Sequence, residues 1–179
     1  VFIPPFDHID VVIGQGTVGL EIMKELPDVD NIVVAVGGGG LAAGVAVAAK
    51  LAAKANGRKV RVYGVQSEHA APYVVSLKKG KLTEIQTTPT IADGIAVSKP
   101  GRVPFELIKK NIDRVVTVSE NEIAEAILVL LERAKQVVEP AGAVGIAALI
   151  AEKLKLKGKT VVILSGGNID PLLLQRVIR

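Results

Sequence analysis

Apolar residues fall along this chain in two textures. Short, nearly unbroken β-branched runs alternate with longer stretches in which apolar positions recur every three or four residues. The short runs are NIVVAV at residues 31–36, KVRVYGV at 59–65, RVVTV at 114–118 and TVVIL at 160–164. Runs this short with little polar alternation predict strands covered on both faces. Helical spacing predicts helices over residues 7–26, 41–55, 69–79 and 104–111. Val18, Ile22, Met23 and Leu26 lie on one face of the first, and Pro27 ends it. Asn56-Gly57 makes a turn after the second. Ser119 and Glu122 have the spacing of a capping box, and behind them Ile123, Ile127, Leu130, Leu131 and Ala134 stand at core positions of a further helix. Pro140 suits the first position of an alanine-rich helix running to Lys153, and a terminal helix follows residue 168. Residues 1–6 form an extended, proline-rich start, and residues 83–104 are irregular. Buried strands alternating with helices predict an α/β fold: an open, mostly parallel sheet with helices on both faces. Such sheets bind ligands beyond the carboxyl ends of their strands. Three polar or glycine-rich segments fall there, at residues 37–40, 66–69 and 165–168, and are expected to converge at one edge.

Composition narrows the function. A chain of 179 residues suits one domain, and 49% hydrophobic residues supply a sizeable core. Aromatic residues are only 3% and the net charge of +4 is scattered, which argues against nucleic-acid binding by base stacking. With no cysteine, disulfides, thiolate catalysis and cysteine zinc sites are excluded. His8 and His69 lack metal-ligand spacing, so no metal site is expected. Residues 32–49 carry no charge, but four consecutive glycines break that stretch, so a strand, loop and helix explain it better than a membrane span. No signal-peptide pattern opens the chain, and a soluble, cytoplasmic protein is expected.

Gly37, Gly38, Gly39 and Gly40, followed by Leu41, lie between a strand and a helix. Without β-carbons the backbone can turn tightly and gather consecutive N–H groups around one anion, at the positive end of the following helix. This pattern predicts a phosphate cradle; the competing reading is a flexible turn. Gly40 is followed by Leu41-Ala42 rather than Lys-Ser/Thr, so a nucleoside triphosphate is disfavoured. A dinucleotide fingerprint fits only as Gly37-x-Gly39-x-x-Ala42, with Gln66 where an acid would hold the ribose. Ser165-Gly166-Gly167-Asn168 offers a hydroxyl and exposed backbone at the end of another strand. Opposite the glycine loop it would suit a small planar phosphorylated cofactor; by itself it reads equally as a turn.

The segments GQGTVGLEI (14–22), GGGGL (37–41), IADG (91–94), VEPAGA (138–143) and SGGNID (165–170) occur in the order that resembles threonine dehydratases. These are fold-type II pyridoxal-phosphate enzymes, alongside serine dehydratase and serine racemase. The resemblance implies that Gly37, Gly38, Gly39, Gly40 and Leu41 hold the phosphate of pyridoxal phosphate. It implies that Ser165 hydrogen-bonds the pyridine nitrogen, and that Gly94 and Glu139 are further pocket residues. A hydroxyl does not stabilise a protonated ring, which favours expulsion of a β-hydroxyl over transamination. The implied reaction is deamination of L-threonine, or L-serine, to a 2-oxo acid and ammonia, with isoleucine biosynthesis as its setting. In relatives the lysine that binds the cofactor lies upstream, with the substrate-carboxylate loop. The 15 lysines here are expected to be solvated, so no catalytic residue is assigned to this chain. Residues 1–179 then form a single large, cofactor-binding domain, without the upstream region or a C-terminal regulatory domain. Its expected partners are an amino-acid substrate and the upstream part of the same enzyme or a partner subunit, and self-association is expected. Some relatives bind a cation through an acid after the second strand; Gln66 and Pro72 stand there instead. The alternatives are a non-catalytic module for a phosphorylated ligand and a nicotinamide-binding domain.

Overall fold

The computed structural model describes residues 4–178. Four strands, β1 (Asn31–Ala35), β2 (Arg61–Ser67), β3 (Arg114–Val118) and β4 (Thr160–Val162), form one sheet in the order β3-β2-β1-β4. Every pairing is parallel. Seven α-helices accompany them: α1 (Ile9–Glu25), α2 (Gly40–Ala55), α3 (Pro72–Lys79), α4 (Arg102–Asn111), α5 (Glu120–Val129), α6 (Pro140–Ile150) and α7 (Pro171–Ile178).

The burial of β1 shows why its sequence lacks polar alternation. Ile32, Val34 and Val36 pack into a core built with α1, α2 and α4, whereas Val33 and Ala35 pack into a second core with α5 and α6. Both faces are covered, as the sequence pattern requires. From β1 the chain steps outward to β2 and β3, then returns across the sheet to β4 on the other side of β1. The carboxyl ends of β1 and β4 therefore flank a topological switch point, where the loops part and leave a crevice.

Several boundaries differ from the sequence reading for physical reasons. β4 covers three residues instead of five, although the Ile163 N–H still donates to Val33 beyond its end. Gln66 and Ser67 extend β2, and α3 begins at Pro72, whose ring suits the first helical turn. α4 begins two residues before Pro104, and α6 stops short of Lys153. Leu26 is the C-cap of α1 and is 41% exposed rather than part of its buried face. The capping box at Ser119 and Glu122 is present. Beyond it, a π-helical turn over Leu130–Ala134 breaks the 3.6-residue period, so Leu131 is only half-buried and Ala134 is exposed.

α1 and α2 cross closely at glycines. A β-carbon on Gly44 would collide with the Val12 carbonyl and the backbone of Gln15 and Gly16, while one on Gly14 would meet nothing within 4 Å. Gly44→Ala is therefore expected to destabilise the fold by about 1–3 kcal/mol. Gly14→Ala is expected to stabilise it by about 0.5–1 kcal/mol through helix propensity. Chemical denaturation of the two variants checks the contrast.

Burial pushes the Glu122 carboxyl upward, but the Ser119 N–H and the Lys153 ammonium, 3.0 Å away, outweigh it and hold its pKa below the ordinary value of 4.5. A depressed folded-state pKa contributes stability that is complete above the unfolded-state value and is lost as pH falls through the folded one. The Tm deficit of Glu122→Gln is expected to be largest at neutral pH and to close on acidification below about pH 4. Thermal melts across that range measure it.

Candidate functional site

Among the described residues, Gly37, Gly38, Gly39, Gly40, Leu41, Gly94, Glu139 and Ser165 all line one cavity of about 440 Å³. It lies at the switch point between β1 and β4. The volume is in the range of small-molecule sites. Gln66–His69 also sits at the carboxyl edge of the sheet, but none of these residues reaches the cavity. Gln66 is fully buried beneath it.

The floor of the cavity is the glycine loop. Gly39 is the N-cap of α2 with φ at +99°, a conformation that disfavours any side chain. A β-carbon there would also strike the Tyr73 hydroxyl, and one on Gly38 would strike the Phe6 ring. Among the described residues, no backbone N–H from Gly37 to Leu41 donates to another protein group, whereas that of Ala43 returns to the Gly39 carbonyl. Five successive donors without partners, at the start of a 16-residue helix with no acid in its first turn, are an arrangement able to receive an anion.

The opposite wall comes from two loops tied together by Glu139. This residue is the N-cap of α6; its N–H donates to the Gly166 carbonyl at 3.0 Å, and its carboxylate accepts from the Asn168 N–H at 3.2 Å. A β-carbon on Gly166 would collide with that carboxylate. Glu139 thus shapes the Ser165–Asn168 loop and at the same time faces the positive end of α6. A β-carbon on Gly94 would press on Ala141 at 3.0 Å and approach Glu139 at 3.5 Å, so the loop after Ile91 abuts the same wall. Ser165 is exposed.

Four further residues brace the glycine loop: Phe6 from within the cavity wall, and Asp7, Gln66 and Tyr73 from outside it. The Phe6 ring lies on Gly38, and the Asp7 carboxylate accepts from the Val103 N–H at 2.8 Å at the start of α4. The buried Tyr73 hydroxyl donates to the Gly38 carbonyl at 2.9 Å. Gln66 accepts from the Tyr73 N–H at 3.0 Å and donates to the Val36 carbonyl at 3.0 Å. The scarcity of aromatics was the available signal: Phe6, Tyr73 and Phe105, three of five such residues in the chain, gather near this loop. The Gln66 side chain is committed to these bonds, and Pro72, at the start of α3, has no side-chain oxygen.

None of the 15 lysines lines the cavity. A larger cleft, about 720 Å³, lies at the amino ends of β1 and β2 and does carry cations, among them Lys54, Arg58 and Arg61. It is at the wrong end of a parallel sheet for the helix N-termini to contribute.

Comparison with known proteins agrees with this geometry. Residues 1–167 match the family described as pyridoxal-phosphate dependent enzyme. The chain is 52% identical over 179 residues to L-threonine ammonia-lyase of Thermotoga maritima, covering 99% of this chain and 43% of that protein. It is 48% identical over 173 residues to the catabolic L-threonine dehydratase TdcB of Escherichia coli K12, covering 95% of this chain and 51% of that protein. The solved structure of the processed form of threonine deaminase isoform 2 from Solanum lycopersicum superimposes with a TM-score of 0.89 at 36% identity, over 98% of this chain and 48% of that one. That of maize serine racemase gives 0.90 at 33% identity, over 99% of this chain and 54% of that one. The chain thus spans about half the length of the curated relatives it matches. With the glycine-loop cavity at the switch point and a family match over 167 of 179 residues, this chain belongs to the pyridoxal-phosphate dependent enzymes.

Proposed function

We propose that this chain is the cofactor-binding part of a threonine dehydratase, which deaminates L-threonine, with L-serine as the alternative substrate, to a 2-oxo acid and ammonia. The observation that carries this reading is the cavity shared by the five unpartnered N–H groups and Ser165, in a chain about half identical to enzymes named for that reaction. The residues fit the cofactor. The N–H groups of Gly37–Leu41 would take the phosphate, the Ser165 hydroxyl would meet the ring nitrogen, and Gly94 and Glu139, which abut each other, would form one stretch of wall beside the ring. When bound there, pyridoxal phosphate supplies the electron sink for removal of a Cα proton and loss of a β-hydroxyl.

This chain's own residues bind and orient; of the described residues that line the cavity none can carry the Cα proton as an amine, because no lysine is among them. The lysine and the substrate-carboxylate site would come from an upstream part of the same enzyme or from a partner subunit, and the chain alone is proposed to be inactive. The isoleucine-biosynthetic setting has no support among these relatives, one of which bears a catabolic name. The second reading, a non-catalytic module for a phosphorylated ligand, differs only in lacking that partner.

Turnover separates them. The chain is expected to bind pyridoxal phosphate but release no 2-oxobutanoate from L-threonine, and to gain activity when mixed with a polypeptide carrying the upstream part. Turnover by the chain alone overturns the assignment of the lysine to another segment, and failure to bind pyridoxal phosphate overturns the cofactor role. Gly39→Ala adds a β-carbon at φ +99° against the Tyr73 hydroxyl. It is expected to weaken pyridoxal phosphate binding at least about tenfold, or about 1.4 kcal/mol, as read by calorimetric titration.

A further inference from the structure

We propose that Tyr73 is a positioning residue, braced by Gln66, that fixes the direction of the Gly38–Gly39 peptide and so aims the cradle's N–H groups; this deepens the phosphate-cradle reading above and rests on it. A run of four glycines creates the difficulty. The freedom that lets the backbone curl around an anion also lets its peptide planes flip, since glycine has nearly equal access to both signs of φ. A flipped plane would present a carbonyl oxygen where a donor is needed. An unsupported glycine loop is therefore a poor anion site until something pins it.

The pins lie on the side away from the cavity. The Gly38 carbonyl accepts two hydrogen bonds, from the Tyr73 hydroxyl at 2.9 Å and from the Gly101 N–H at 3.0 Å. That uses the oxygen's two acceptor positions. All described peptide bonds are trans, so a carbonyl held toward Tyr73 sends the Gly39 N–H the opposite way. Turning this plane would break both bonds and leave a buried hydroxyl without its acceptor, which is unfavourable in a packed interior.

Tyr73 is itself held. Its side chain is fully buried, and its ring packs against Phe105 with centroids 6.4 Å apart. The Gln66 side chain, also fully buried, accepts from the N–H groups of Tyr73 and Val74 at 3.0 and 3.3 Å and donates to the Val36 carbonyl, immediately before the loop. One amide thus joins the end of β1, the end of β2 and the first turn of α3. Burial and the nearby Asp7 carboxylate both push the Tyr73 hydroxyl pKa upward, so it stays a protonated donor. No other side chain donates to a carbonyl of the glycine loop among the described residues.

The test uses Tyr73→Phe, which keeps the ring and removes one oxygen. Pyridoxine 5′-phosphate and pyridoxine serve as probes, because neither forms an imine with surface lysines. The parent chain is expected to prefer the phosphorylated probe. The variant is expected to lose about tenfold in affinity for pyridoxine 5′-phosphate, with its affinity for pyridoxine unchanged. Amide hydrogen exchange is expected to quicken from Gly38 to Leu41 while Val45, deeper in α2, keeps its protection. A variant that matches the parent in both probes and in exchange overturns the role of Tyr73. Equal losses for both probes, together with faster exchange throughout α2, show general loosening and overturn it as well. If the parent itself shows no preference for the phosphorylated probe, the cradle reading fails first and the role of Tyr73 falls with it.

Discussion

The direction of one peptide plane, between Gly38 and Gly39, decides whether the carboxyl edge of this sheet presents donors or acceptors to its cavity. A glycine loop offers donors to an anion only if its carbonyls are occupied elsewhere, and here the Gly38 carbonyl is held by a phenol and a backbone amide from two distant segments. Those segments are placed by the rest of the fold. Tyr73 rides on α3, which is anchored to β2 through Gln66, and Gly101 precedes α4, whose first turn is capped by Asp7. The helices on one face of the sheet thus do more than cover apolar strands; they set the polarity of the loop above them.

Charge alone would have pointed elsewhere. The cleft at the amino ends of β1 and β2 holds several cations, whereas among the described residues the cavity at the carboxyl ends has none and carries Glu139 in its wall. An anion in the glycine cradle would be met by backbone dipoles and the start of α2 instead of by side-chain charge. Two cations of that cleft also have local explanations. Lys54 is in the last turn of α2, where positive charge is favourable, and Lys50 pairs with Asp113 at 2.8 Å.

Much of the fold was legible because its signals are local. β-branched runs marked all four strands, the Ser119–Glu122 spacing marked a helix start, and Pro140 marked another. The glycine loop was legible for the same reason, since four glycines between a strand and a helix are visible without any partner. What escaped notice depends on sequence separation. The Asp7 cap on Val103 spans 96 residues, and the Tyr73–Gly38 bond spans 35. In the sequence Gln66 stands only where a ribose-binding acid is missing; the folded chain reveals that its amide is consumed by Val36, Tyr73 and Val74. The π-helical turn after α5 was equally invisible: the apolar spacing of Leu131 and Ala134 continues a 3.6-residue period that the backbone abandons.

The hydrogen bonds that pin the Gly38 carbonyl come from residues outside the cavity, and this separates two kinds of sequence change. Substitutions at the rim, around Gly94, Glu139 and Ser165, can alter what is held above the floor without disturbing the bonds that shape the floor itself. A scaffold built this way can keep one grip while its upper surfaces diverge. Solved structures of a deaminase and a racemase both superimpose on this chain over more than nine-tenths of its length. Such divergence is what a foundation independent of its superstructure permits.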